Sequence, residues 1–415
     1  MDYVKNALIS NSRPMPQFED RPPPNTQRTC AQCPAGPWIV LWLLCHVALV
    51  LARTEAASLR ERKVGEGIVY FNDVVRDVPW SIQVVKIERA QTNLQLTPTL
   101  GRATAQGLST LSAQLRGLPR TLGVPVAAVN GDFYQTEGGV GAGDPRGLEI
   151  FLGELISGPK GSASFWLDST NQPRMAATVS RFKVSWPGGE SLPFGLNEER
   201  SSSEVVLYTS RFGASTRTRG GREFVLENSS AGPSLPLQIG QTYSLRIRDV
   251  RDTGNTRITS DVVVLSLGPG VADRVPKPEV GSMLEISTAT VPNLKGAAMA
   301  LSGGPILVQT GKVLRVTSNK AGDRHPRTAF GWNETHLFLV QVDGRQPDLS
   351  IGMTLRELAD YMVRLGCQQA MNLDGGGSST LWLNGRVMNS PCYGHERPIG
   401  NCLALVRKGP DATGP

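Results

Sequence analysis

Residues 336–377 read HLFLVQVDGRQPDLSIGMTLRELADYMVRLGCQQAMNLDGGG, and their pattern yields three elements in a row. His336 to Val342 is an apolar run of strand length that stops at Asp343-Gly344-Arg345. Thr354-Leu355-Arg356-Glu357 places a carboxylate three residues after a hydroxyl, the signature of a capping box. Leu355, Leu358, Met362 and Leu365 then recur at helical spacing, and Gly366 closes the helix. Gln369 to Leu373 is a second apolar run, and it delivers Asp374 and three glycines. Strand, helix and strand of this length predict one crossover unit. If the two strands are parallel, Asp343 and Asp374 leave the sheet at the same edge, where ligands sit in open sheets.

The same device occurs earlier. Val124 to Val129 is an apolar run that ends in Asn130-Gly131-Asp132. Three strands therefore finish in Asp beside Gly. Each Asp-Gly alone is adequately read as a turn. The triple glycine is different, because glycine in series costs backbone entropy and packs nothing. It predicts that something comes very close to the main chain. Amides of Gly375, Gly376 and Gly377, left free, would form an anion-binding nest, with Ser378 and Ser379 adding donors. A nucleotide triphosphate loop would need Lys after the glycines and a helix beyond. Here Ser378 follows, and Asn384-Gly385 between short apolar runs marks a hairpin.

The chain has 415 residues, 40% of them hydrophobic, enough for one or two packed domains. Its 45 glycines and scarce helical periodicity point to strands and tight turns. Net charge is +7, but the basic residues are scattered and lack the interleaved aromatics of a base-stacking surface, so nucleic acid is not an expected partner. Residues 1–60 read as a polar leader followed by an apolar run from Trp38 to Ala52, of signal-peptide length and short for a membrane span. The remainder is then expected outside the cytosol: secreted, periplasmic or in the cell envelope, touching a membrane only if that segment stays uncut. Cys30, Cys33 and Cys45 fall in the leader. In an exported chain two of Cys367, Cys392 and Cys402 are expected to pair, Cys392 with Cys402 closing the shortest loop.

Between these landmarks, Gly67–Asn72 and Trp80–Glu88 read as strands, and Leu108 to Leu118 as a short amphipathic helix. Residues 180–290 alternate short apolar runs with polar stretches, as an all-β insertion does. Arg327, between His325 and Thr328, suits bidentate contact with phosphate or carboxylate. A serine–histidine triad lacks its Gly-x-Ser-x-Gly elbow. Asp132, Asp343 and Asp374 with Asn130 and Asn372 form an oxygen-rich set that would suit Ca²⁺ or Mg²⁺ rather than zinc.

The segments VNGDFY (Val129 to Tyr134), SGGPILV (Ser302 to Val308), RHPRTAFGW (Arg324 to Trp332), VDGRQPDLSIGMTLRELADYM (Val342 to Met362) and NLDGGGSSTLWLNG (Asn372 to Gly385) resemble the phosphodiester glycosidase family. The unbroken later segments look most like its bacterial, exopolysaccharide-associated branch. The resemblance covers 65–407, with the insertion at about 180–290 and a short tail at 408–415. It implies hydrolysis of a sugar-1-phosphodiester to free sugar and a phosphate monoester. Catalytic duties would be drawn from Asp374, Asp343 and Asp132, with Glu396 in reserve. Substrate contacts would come from Asn130, Gly304, Arg327, Thr328, Arg345, Asn372, Gly375, Gly376, Gly377 and Ser378. Two competing functions use the same residues: an envelope protein that holds an anionic glycan without cleaving it, and a metal-dependent phosphodiesterase attacking phosphorus. The expected fold is α+β, a large β-rich mixed sheet with few helices, the strand–helix–strand unit and the all-β insertion.

Overall fold

Ile82, Val84 and Val342 face one way from their sheet and Val85, Ile87 and Leu339 the other, and all are buried. The apparent break in alternation at Val85 is thus a strand buried on both faces. The computed structural model describes residues 61–136, 139–230, 232–316 and 322–409, all within one unit, Leu59–Pro415. The leader with its apolar run and three cysteines, and the end of the tail, lie outside the described residues.

The strands that position the site are β1 (Trp80–Glu88), β2 (Val124–Asn130), β3 (Met299–Gly303), β4 (Ile306–Gln309), β5 (Arg327–Trp332), β6 (His336–Val342), β7 (Gln369–Asn372), β8 (Leu381–Leu383) and β9 (Cys402–Arg407). Among the described residues there are three α-helices: α1 (Leu111–Arg116), α2 (Pro269–Ala272) and α3 (Leu355–Arg364). An eight-stranded sheet contains β1, β6, β5, β7 and β4 in that order. A five-stranded sheet contains β8, β2 and β9. Helix α3 covers one face of the larger sheet through Leu358, Ala359 and Met362. The smaller sheet packs on its other face through Ala127, Val129, Leu403 and Leu405. A six-stranded sheet holds β3 beside the Glu149–Phe151 and Lys160–Leu167 strands.

The large sheet differs from the expected mixed one. Strand β5 lies between β6 and β7 and pairs antiparallel with both. Every pairing in that sheet is antiparallel. Strands β6 and β7 still run in the same direction, so Asp343 and Asp374 leave at one edge. The physical reason is the tight connection after Trp332, which folds β5 back along β6 before the crossover helix begins.

Residues 183–287 form an eight-stranded sheet whose core around Phe224, Tyr243, Leu245 and Leu265 is shared with Ile150, Leu155, Trp166 and Ala300 of the six-stranded sheet. Helix α3 starts at a full capping box. The Glu357 amide donates to Thr354 Oγ1 at 3.1 Å, and the Thr354 amide donates to Glu357 Oε2 at 2.9 Å. Asn384 and Gly385 turn with positive φ, 44° and 93°, as a two-residue hairpin needs. The expected pairing of cysteines is overturned: Cys367, Cys392 and Cys402 are all free, and Cys402 is fully buried with Thr99 Oγ1 at 3.1 Å from its sulfur.

Thr354→Ala removes the cap and is expected to cost about 1 kcal/mol. Urea unfolding checks this: the midpoint falls while the denaturant slope stays unchanged.

Candidate functional site

Two sheets deliver their strand ends to one place, and a single amide joins them. Asn130 closes β2. Its Nδ2 donates to the Asp374 carbonyl at 2.6 Å, and its Oδ1 accepts from Thr328 Oγ1 at 2.6 Å and from the Thr380 amide at 3.1 Å. The Asp374 amide donates to the Gly131 carbonyl at 2.9 Å. Asp132 and Asp374 are thereby fixed as near neighbours, although 242 positions separate them in sequence, counted from their numbers.

Their surroundings differ. Asp132 is buried; the Phe133 amide donates to its Oδ1 at 2.8 Å, and its Oδ2 has no partner. Burial pushes its carboxyl up to about 8, and the Asp374 charge adds to the rise. Burial also raises Asp374, but Ser378, the Gly375 amide at 2.8 Å and the Arg397 guanidinium at 3.3 Å favour its ionised form. Arg397 also donates to Ser378 Oγ and lies over the Tyr134 ring, 5.7 Å from its centre. The Tyr134 hydroxyl donates to the Pro398 carbonyl at 2.9 Å. Of the pair, Asp132 is raised to about 8, while the arginine and hydrogen-bond donors around Asp374 oppose its rise.

Behind Asp132 lie two more buried carboxyls. Glu149 is raised well above its ordinary range by burial, with Asp132 and Asp144 adding to the shift, and its Oε1 has no partner. Asp144 is pushed up to about 7, again by burial, with Lys160 opposing at 3.7 Å. Asn401 bridges toward this group by accepting the Asp132 amide at 2.9 Å. Local sequence gives no hint of this acidic core, because its members sit on different strands and loops.

The three glycines are there for space. A side chain at Gly375 would meet the Pro326 carbonyl at 2.8 Å, one at Gly376 the Arg345 guanidinium at 3.0 Å, and one at Gly377 the Tyr393 ring at 2.2 Å. Gly376 also has φ +59°. Two amides of the expected nest are taken: Gly375 donates to Asp374 Oδ1 at 2.8 Å and Gly376 to the Pro326 carbonyl at 2.9 Å.

Other sequence candidates have structural partners. Asp343 is buried, and its Oδ1 accepts from Gln341, Asn389 and the Ser390 amide at 3.1, 3.3 and 3.0 Å. Glu396 accepts from the Ser112 amide at 2.9 Å, at the start of α1. Arg327 donates to the carbonyls of Met353 and Asp323 at 2.9 and 2.7 Å. Asn372 donates to the Gly304 carbonyl at 2.8 Å, and Thr328 reaches Ser379 Oγ at 3.2 Å as well as Asn130. Asn130, Thr328, Asn372 and Gly304 therefore frame the site from beneath. Among the described residues no group of three or more His, Cys, Asp or Glu side chains is arranged to hold a metal ion. Exposed Phe133 and Tyr393, 36% and 54% accessible, are apolar rings beside Asp132 and Gly377 that sequence reading passed over. A cavity of about 800 Å³ opens at the opposite end of β1 and β6, lined by Glu88, Arg89, Gln172 and His336, away from the acid pair.

The phosphodiester glycosidase family model matches residues 245–406. A prophage-derived uncharacterized protein of Bacillus subtilis is 32% identical over 115 residues, covering 27% of this chain and 18% of its own length. The N-acetylglucosamine-1-phosphodiester alpha-N-acetylglucosaminidase of Bos taurus is 39% identical over 66 residues, covering 16% of this chain and 12% of its own. The chain thus spans less than a fifth of the length of these curated relatives. A hypothetical protein from Synechocystis shares the fold, with TM-score 0.67 and 19% identity over 85% of this chain and 64% of its own.

Raised carboxyls make stability depend on pH in a fixed sense. Unfolded aspartate titrates near 4. Between about pH 4 and pH 8 folded Asp132 keeps a proton that the unfolded chain has released, so it lowers stability as pH rises through that window. Asp132→Asn is expected to gain stability relative to wild type as pH climbs from 5 to 8, by up to ~1.4 kcal/mol per pH unit. Melting temperatures of both proteins across that range measure it; a constant difference would contradict the assignment.

Proposed function

We propose, from the match of residues 245–406 to the phosphodiester glycosidase family model, that the chain hydrolyses a sugar-1-phosphodiester at its anomeric carbon. The products are the free sugar and a phosphate monoester. The observation that carries this reading is the Asp132–Asp374 pair, two neighbouring buried carboxyls of which only Asp374 has an arginine and further donors opposing its rise. Asp374 takes a proton from the attacking water, and Asp132 gives its proton to the departing phosphate oxygen. The bond from water oxygen to the anomeric carbon forms as the bond from that carbon to the phosphate oxygen breaks. A phosphate ester is already a good leaving group, so a weak acid suffices.

The exposed rings of Phe133 and Tyr393 offer apolar surface to a sugar face, and the activity for which the bovine relative is named supports an N-acetylhexosamine as the sugar. We place the substrate on envelope or extracellular polysaccharide, reached by export through the segment from Trp38 to Ala52. Among the described residues no helix is long and apolar enough to cross a membrane. Asp343 and Glu396 take no part in the chemistry in this reading.

Asp374→Asn is expected to lower kcat by ~10²–10⁴-fold with an unchanged circular dichroism spectrum. Hydrolysis in ¹⁸O-labelled water should put the label in the sugar. Label in the phosphate would mean attack at phosphorus. Tight binding without turnover would make the chain a glycan-holding protein.

A further inference from the structure

Four arginines stand around the acid pair, and three have partners. Arg327 donates to two backbone carbonyls. Arg397 holds Asp374 and Ser378. Arg345 reaches His325 Nδ1 at 3.4 Å. The fourth, Arg146, is exposed and makes no side-chain hydrogen bond or ion pair among the described residues.

Its backbone, by contrast, is pinned on both sides. The Arg146 amide donates to the Phe133 carbonyl at 2.8 Å. Pro145 bridges to Tyr134, and its carbonyl accepts from Ser157 Oγ at 3.3 Å. A side chain at Gly147 would meet Ser302 Cβ at 2.4 Å, so only glycine fits there. The Arg146 side chain therefore starts from a rigid segment between Tyr134 and Asp132, within electrostatic reach of Asp374.

We infer that Arg146 grips the non-bridging phosphate oxygens of the leaving group and makes the site select a phosphodiester over a neutral glycoside. The inference rests on the glycosidase reading above. A phosphodiester brings one negative charge to a site lined by the Asp374 carboxyl, and charge builds on the departing oxygen until Asp132 protonates it. An unspent guanidinium offsets the repulsion and binds the departing group more tightly than the intact one. Its planar fork suits two phosphate oxygens at once.

The test compares wild type, Arg146→Gln and Arg146→Lys on two probes: the methyl phosphodiester of α-N-acetylglucosamine-1-phosphate, and the neutral p-nitrophenyl α-N-acetylglucosaminide. The ratio of kcat/KM for the first over the second is expected to fall about 30-fold or more in Arg146→Gln, through kcat as well as KM, and to recover in part in Arg146→Lys. A ratio within about twofold of wild type overturns the inference. Dimethyl phosphate binding, followed by NMR, gives a readout independent of sugar and turnover: Arg146→Gln should weaken it, and unchanged binding also overturns the inference. If wild type cleaves neither sugar probe while Arg146→Gln loses dimethyl phosphate, the Arg146 assignment stands and the glycosidase reading falls.

Discussion

The site depends on one buried amide. Asn130 satisfies the Asp374 carbonyl, the Thr328 hydroxyl and the Thr380 amide at once. Asp374 and Thr380 share one loop, but that loop, Thr328 and Asn130 lie far apart in the chain and no local interaction would bring them together. With Asn130 completely buried, each of those hydrogen bonds is made without competition from water. The two strand ends cannot drift apart without leaving polar groups unsatisfied in the core. Asp132 and Asp374 inherit that rigidity, and their chemistry follows from it.

Burial then separates their roles. Both carboxyls are withdrawn from water, which favours the neutral form of each. Asp374 alone has an arginine and two further donors on its oxygens. Asp132 has one local amide on Oδ1 and a bare Oδ2, with two more carboxyls behind it. Burial is the main cause that raises Asp132, and the charges of Asp374 and Asp144 add to it. A proton donor next to a charged acceptor is what hydrolysis of an activated sugar ester requires.

Much of this was legible in the sequence where the signal is local. The capping box at Thr354, the helix to Gly366, the apolar run into Asp374 and the Asn384-Gly385 hairpin all appear as read. So does the sharing of one sheet edge by Asp343 and Asp374. Tertiary context decided the rest. Asp343 and Asp374 sit in the same local motif, yet Asn389 and Ser390 enclose one while Arg397 faces the other. Glu396 looked like a spare catalytic acid and instead meets a helix amide 284 positions away. The triple glycine announced a close approach correctly, but what approaches is Pro326, Arg345 and Tyr393. Glu149 and Asp144 carried no pattern at all, because their significance is their burial beside Asp132.

The protonation state of Asp132 is the most direct test of the whole account. Infrared difference spectroscopy of wild type against Asp132→Asn reports the carbonyl stretch of a protonated carboxyl. The account predicts that this band is present at pH 7 and fades as pH passes about 8. A band that disappears near the ordinary aspartate value of about 4 would show an ionised Asp132 and contradict it.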